Sequence, residues 1–204
     1  PLLDLHAFLT SWPAPLGELP GPGWLQAMAD LEAEVPFSPF DDPIKNAVRD
    51  LLRHGGFKPA GRSKPCNEYI RGAAGRGAFP SINAAVDTTN LAALHGCLPV
   101  STVDLDLLEL PLRVGIAPPG ARYVFNASGQ EIDLAGPICL HDAHGPCANP
   151  VKDSMRAKTT EASLRTITVI WGTQALPGRA RALRDWHVTL NQRLGGEVEI
   201  LATR

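Results

Sequence analysis

Between Pro80 and Asp106 the chain runs PSINAAVDTTNLAALHGCLPVSTVDLD. At helical period Ile82, Ala85, Val86, Ala93 and Leu94 form one apolar stripe, and Thr89 and Asn90 interrupt it. A buried hydroxyl or amide without a partner costs about 1–3 kcal/mol, so these side chains need a neighbour, a water or a ligand. Two readings stay open on the residues alone. Asn90 caps the backbone of the returning LPVSTVD segment, or Thr89 and Asn90 wall a pocket.

Other groupings carry weaker chemistry. In CLHDAHGPC, Cys139, His141, His144 and Cys147 are ligand types that zinc favours. Zinc motifs pair ligands two to four residues apart and separate the pairs by a longer element, which this segment does not do, so no metal is expected. A hydrolase using His141 and His144 with a metal stays as a third alternative. No Gly-x-Ser-x-Gly elbow and no phosphate loop of the Gly-x4-Gly-Lys type occur, and GAAGRG (72–77) follows no strand. Positive charge gathers twice: Lys58, Arg62, Lys64, Arg71 and Arg76 lie within 19 residues, and Lys152, Arg156 and Lys158 within 7. Such clusters either contact phosphates or are solvated loops.

These residues need a frame to hold them. A chain of 204 residues with 44% hydrophobic content suits a single domain over 1–204. Its net charge of -2 supplies no global cationic field for DNA. No apolar run is long enough to span a bilayer, and the opening PLLDLHAFLTSWPAPLGELPGPG lacks a signal-peptide pattern, so a cytoplasmic setting is expected. Four cysteines are too sparse for a disulfide framework and are expected as mostly buried free thiols.

Punctuation predicts the elements. After a Pro- and Gly-rich opening, WLQAMADLEAEV and DDPIKNAVRDLLRHGG read as two helices that begin the fold. A basic loop with a short helix follows, then the helix of the TTN segment, with Ser81 as N-cap and Gly96 as stop. LPLRVGIA, ARYVFN, EIDLAG and PICLHDA read as strands of a mixed sheet, TITVIWG as a buried strand, GRARALRDWHVTLNQRLGG as a helix and EVEILA as a last strand. The class is α+β, a mixed sheet packed against helices.

VDTTNLAALHGCLPVSTVDLD resembles the B3/4 domain of the phenylalanyl-tRNA synthetase beta subunit. There a Val-Asp-x-Thr-Asn helix is followed by a Gly and Pro turn and then Asp-Leu-Asp. RSKPCNEYIRG and FPSINAAVD upstream, and CANPVKDSMRAKTT downstream, are similar to freestanding members of that family, so the likeness covers 58–172.

The resemblance implies a B3/4-like fold and an editing site that hydrolyses mischarged aminoacyl-tRNA in trans, without cofactor. It places Thr89, Asn90 and Ser101 on the aminoacyl pocket, with Asn67 and Asp153 as further pocket candidates. Asp104 and Asp106 would hold the following turn, and Arg62, Lys64 and Lys152 would contact tRNA phosphates. Ser101 stands where the synthetase has a histidine, and serine is no base at neutral pH without a partner. TITVIWG carries no acid to select a tyrosine hydroxyl, so tyrosine specificity is not implied. The alternative is a non-catalytic module that binds tRNA or an amino acid. Aminoacyl-tRNA is the expected partner, with no DNA and no membrane, and the oligomeric state is open.

Overall fold

The computed structural model describes residues 2–203. The first element is a strand, β1 (Leu3–Ser11), which corrects the expectation that two helices begin the fold. Leu5, Ala7 and Leu9 project to one face of it and Phe8 and Thr10 to the other, and both faces are covered. Of the two expected helices, WLQAMADLEAEV supplies only one short turn of helix, α1 (Gly23–Ala27). The other, α2 (Asp42–Arg53), forms in full: the Asp41 carboxylate accepts from the Ile44 N–H at 2.8 Å, and Pro43 sits in the first turn.

Helices α3 (Cys66–Ala74) and α4 (Ala84–Gly96) follow, then strand β2 (Val100–Asp104). Strands β3 (Arg113–Ile116), β4 (Arg122–Val124), β5 (Glu131–Asp133), β6 (Ile138–Asp142) and β7 (Gly145–Ala148) come next. β8 (Arg165–Thr173), α5 (Arg179–Arg193) and β9 (Glu197–Leu201) complete the chain. The class is α+β. The main sheet has the order β2-β8-β1-β9, and β3-β6-β7 and β4-β5 form two smaller sheets. Every ladder is antiparallel. Among the described residues no helix is long and apolar enough to cross a membrane.

One face of the main sheet carries α4 and α5, and the other carries the β3-β6-β7 sheet over Val103, Ile167, Val169 and Trp171. The interface between α4, α5 and the sheet contains a run of hydroxyls. Thr89 Oγ1 donates to Ala85 O at 2.7 Å and therefore accepts from Thr102 Oγ1 at 2.6 Å, which in turn accepts from Thr168 Oγ1 at 2.9 Å. Thr88 donates to Asn191 Oδ1 at 2.8 Å, and Asn191 Nδ2 donates to Thr10 at 3.0 Å. Each polar atom of this layer finds a partner, so it adds directional specificity to a boundary that apolar packing alone would leave free to slide.

The ends of α4 correct two expectations. Asn83, not Ser81, is the N-cap, accepting from the Val86 N–H at 3.0 Å. Ser81 instead donates to Asp87 at 2.8 Å. Gly96 is the last helical residue, and Cys97 after it takes the left-handed conformation with φ 57°. Glycine is required at 96 for contact: a Cβ there would lie 2.4 Å from Leu183 Cδ1, which lets α5 approach α4 closely.

Candidate functional site

The predicted amphipathic stripe of α4 is not what the fold uses. Enclosed by the sheet, α5, α3 and α1, the helix is buried all round, and Val86 and Asn90 alone between Ala84 and Gly96 are incompletely covered. One turn apart on the same face, they open onto a cavity of about 210 Å³. Ile82, assigned to the stripe, precedes the helix and is exposed at the cavity rim.

The cavity lies between α4, the start of α3, β2 and the segment 153–159. Thr89, Asn90, Thr102, Asp153 and Lys158 are its polar walls, and Val86, Ala93 and Val100 its apolar ones. Asn90 does not cap LPVSTVD: its amide makes no hydrogen bond to a described residue. The capping amide comes from α3, where Asn67 Nδ2 donates to Cys97 O at 2.9 Å. Asn67 is buried behind Cys66, which lines the cavity, and its Oδ1 has no partner among the described residues. It supports the wall from behind.

Ser101 does not line the cavity. Strand alternation sends Val100 and Thr102 to the cavity and Ser101 to the opposite face of β2. Its hydroxyl accepts from Trp171 Nε1 at 3.0 Å and donates to Asn149 O at 3.1 Å. Ser101 therefore holds the loop that carries Asp153, without lining the cavity itself. Asp104 is buried, accepting from the Asp106 N–H at 2.9 Å and from the Ser163 hydroxyl, while Asp106 also pairs with Arg165.

The loop 149–153 is tightly determined. Asn149 Oδ1 accepts from the Val151 and Lys152 N–H groups at 2.8 and 2.9 Å. Asn149 Nδ2 donates to Tyr123 Oη at 2.6 Å, and Tyr123 donates to Lys152 O at 2.5 Å. Burial pushes the Tyr123 phenol well above its ordinary value, so this donor stays protonated. Across β2, the Cys66 N–H donates to Pro150 O at 2.9 Å, so 65–66 and 149–153 together cover the sheet edge.

Asp153 is thereby held beside the cavity, with Oδ1 accepting from the Asn149 N–H at 3.2 Å. Burial pushes its carboxyl up to about 7, opposed by the Asn149 N–H and the Lys158 charge. A carboxyl titrating there exchanges protons near neutral pH. Cys66, the thiol at the cavity, is pushed by burial up to about 12, so no thiolate nucleophile forms.

Of the cationic candidates, Arg62 and Lys152 line an open groove of about 890 Å³ next to the cavity. Lys64 is exposed on the same loop as Arg62. Lys158, Thr102 and Asn149 were not singled out as site residues. Asn149-Pro150 is a turn signal that could have marked the loop as shaped rather than slack.

The second ligand-like cluster is divided by the fold. Cys139 and Cys147 are buried with thiols pushed up to about 12, mainly by burial. Exposed His144 pairs with Glu109 at 2.7 Å, and buried His141 reaches Gly115 O at 3.4 Å. Among the described residues no group of three or more such side chains is placed to share an ion.

No protein-family model matches the chain, and no curated protein matches it. Among solved structures, it is similar to an N-terminal fragment of the phenylalanyl-tRNA synthetase beta-subunit from Pyrococcus horikoshii. The TM-score is 0.49 at 13% identity, over 58% of this chain and 43% of that one, so the chain spans under half of that fragment.

Proposed function

We propose that this protein hydrolyses the ester of a mischarged aminoacyl-tRNA, with the aminoacyl group held in the cavity beside α4. The observation that carries the reading is Asp153: a carboxyl with a neutral titration point, fixed at the wall of a small cavity opposite an unpartnered amide. The resemblance of VDTTNLAALHGCLPVSTVDLD to the editing domain supplies the substrate class. Asp153 then takes the role that Ser101 cannot fill.

In this reading the Asp153 carboxylate accepts a proton from a water, whose oxygen attacks the ester carbonyl carbon. The Asn90 amide N–H donates to the carbonyl oxygen as it gains negative charge. Collapse breaks the bond to the ribose oxygen, which takes the proton from Asp153, leaving free amino acid and a tRNA 3′ end with its hydroxyl restored. The ester is activated, so positioning supplies much of the rate. Thr89 Oγ1 and Thr102 Oγ1 have spent their protons within the hydroxyl run and offer the cavity acceptors only, which suits an ammonium or a hydroxyl on the bound amino acid.

A binding module without catalysis is the second reading, favoured by Ser101 standing where the synthetase has a histidine. A panel of tRNAs, each carrying a non-cognate amino acid, separates the two. Hydrolysis is expected for at least one of them and is lost in Asn90→Ala, whose cooperative unfolding stays intact. Binding of tRNA or amino acid with no turnover on any panel member defeats the hydrolytic reading.

A further inference from the structure

On the face of the main sheet away from α4 the cover thins from one strand to the next. Ile167, Val169 and Trp171 of β8 are buried there under the β3-β6-β7 sheet. On neighbouring β1 Leu5 and Leu9 are half-buried, and on β9, at the sheet edge, Glu199 is exposed. The smaller sheet runs out over β1, and a cleft of about 730 Å³ opens beside it, floored by Leu5, Ala7 and Leu201 and roofed by Leu112, Val114 and Leu140. It lies across the sheet from the cavity beside α4 and shares no lining residue with it.

One wall of this cleft is an open strand edge, because β3 is the outer strand of its sheet. The Ala117 N–H donates to Pro137 O at 3.0 Å, and antiparallel alternation from that bond turns the main-chain groups of Arg113 and Gly115 toward β6. The N–H and C=O of Val114 and Ile116 therefore point out from the edge, where no other element bonds them among the described residues. One further strand beside β3 would carry the smaller sheet across β1 and β9. It would pair those groups and set its alternate side chains on Leu5, Ala7 and Leu201.

Charge defines what that strand carries. Arg113 is on the outer face of β3, opposite in parity to Val114, and Glu199 is on the cleft face of β9, where it pairs with Leu9. Neither forms an ion pair with a described residue. A strand laid between them complements both with an acid on its outward side and a base on its inward side, past the apolar residues. A second copy of this chain fits poorly, since pairing Leu112 with Val114 of the copy sets one Arg113 opposite the other.

We infer that this cleft binds an extended segment of a partner protein by strand addition to β3. The segment is apolar at alternate positions, with a base at the end of that apolar face and an acid on the other face. Binding there needs neither the α4 cavity nor hydrolysis.

The probe is a blocked, fluorescently labelled peptide of roughly seven residues that alternates valine with threonine, with lysine ending the valine face and glutamate on the threonine face. It is made in both chain orders, titrated onto the intact protein and followed by anisotropy. An extended peptide presents its amides alternately to two edges, so N-methylation of one alternate set should weaken binding roughly tenfold or more while the other set is spared. A twin with lysine and glutamate exchanged should bind more weakly, and Glu199→Lys should shift the preference toward that twin by roughly 2- to 5-fold. Val114→Pro removes an N–H at the open edge without touching the bonds to β6, and should weaken the peptide with the unfolding midpoint, measured alongside, retained. No binding by any of the peptides, or binding indifferent to both methylated sets, overturns strand addition. Equal affinity for the two charge patterns overturns the partner chemistry. A dimer in solution that Val114→Pro dissociates would place a second copy in the cleft and overturn the peptide.

Discussion

Replacing Asp153 by Asn should stabilise the protein and disable it together. In the fold this carboxyl ionises at about 7, while in the unfolded chain it does so near 4. Between those values the folded state binds the extra proton, so stability falls as pH rises from about 4 and the loss is complete above about 7. At pH 8 the cost approaches 4 kcal/mol as an upper figure, because the side chain keeps partial contact with solvent. Asparagine retains an oxygen to accept from the Asn149 N–H and carries no charge to desolvate. Asp153→Asn should therefore gain up to about 4 kcal/mol over the wild type at pH 8 and match it near pH 4, read as urea midpoints at both pH values.

If the proposed reading holds, the same group sets the activity profile. The wild-type deacylation rate, corrected for spontaneous ester hydrolysis, should rise about tenfold from pH 6 to pH 8 as Asp153 goes from mostly protonated to mostly ionised. Asp153→Asn should lose about 10²- to 10⁴-fold at pH 8. A variant less stable than wild type at pH 8 would refute the desolvation reasoning. A variant with full activity, or a wild-type rate flat across this range, would remove Asp153 as the base.

Two further outcomes test the frame around the cavity. Asn67→Ala should cost about 1–3 kcal/mol in a denaturant titration, because it strips the Cys97 carbonyl of its buried donor; a loss under about 0.5 kcal/mol would show that water replaces the amide. His187, wholly buried with its ring 5.1 Å from Phe8 and no partner for either nitrogen among the described residues, is pushed by burial down to about 3. Its folded state binds fewer protons than the unfolded chain, so its own contribution to stability should fall by about 1 kcal/mol per pH unit from about 6.5 downward, opposite in sign to that of Asp153, and the difference in stability between wild type and His187→Leu should follow that slope between pH 6.5 and 5.

Much of the frame is legible in the residues, and its failures have physical causes. Helices α2 and α5 carry their own signals, with Asp41 and Pro43 at one start and the Leu183 and Leu190 positions inward on the other. Strand β8 is recognisable as a continuous apolar and β-branched run because it is buried on both faces. β1 is hidden for a related reason: Leu3, Asp4, Leu5 and His6 begin an alternation, but Ala7, Phe8 and Leu9, covered on both faces in a central strand, break it, and nearby Pro13 and Pro15 suggest loop. The ladders join residues far apart in sequence, such as Leu3 with Thr173, and no local pattern encodes such a pair.

Within the site, composition finds the amide and topology decides its meaning. Thr88, Thr89 and Asn90 are equivalent as sequence, three polar residues in an apolar helix. The fold satisfies Thr88 through Asn191 and Thr89 through Ala85 and Thr102, so Asn90 alone is left facing open space. Position 101 is likewise settled by the parity of β2: whatever stands there points at Trp171, away from the cavity. In the proposed reading the base for this cavity then comes from another element. The loop 149–153, tied to Ser101 at Asn149 O and to the β4 strand at Tyr123, brings one from 52 residues further along the chain. Ser101 thus bears on the chemistry through the position of Asp153, so Ser101→Ala should move the pH midpoint of deacylation downward, by loosening the loop whose burial of the carboxyl holds it high. A role confined to packing would lower stability and leave that midpoint where it is.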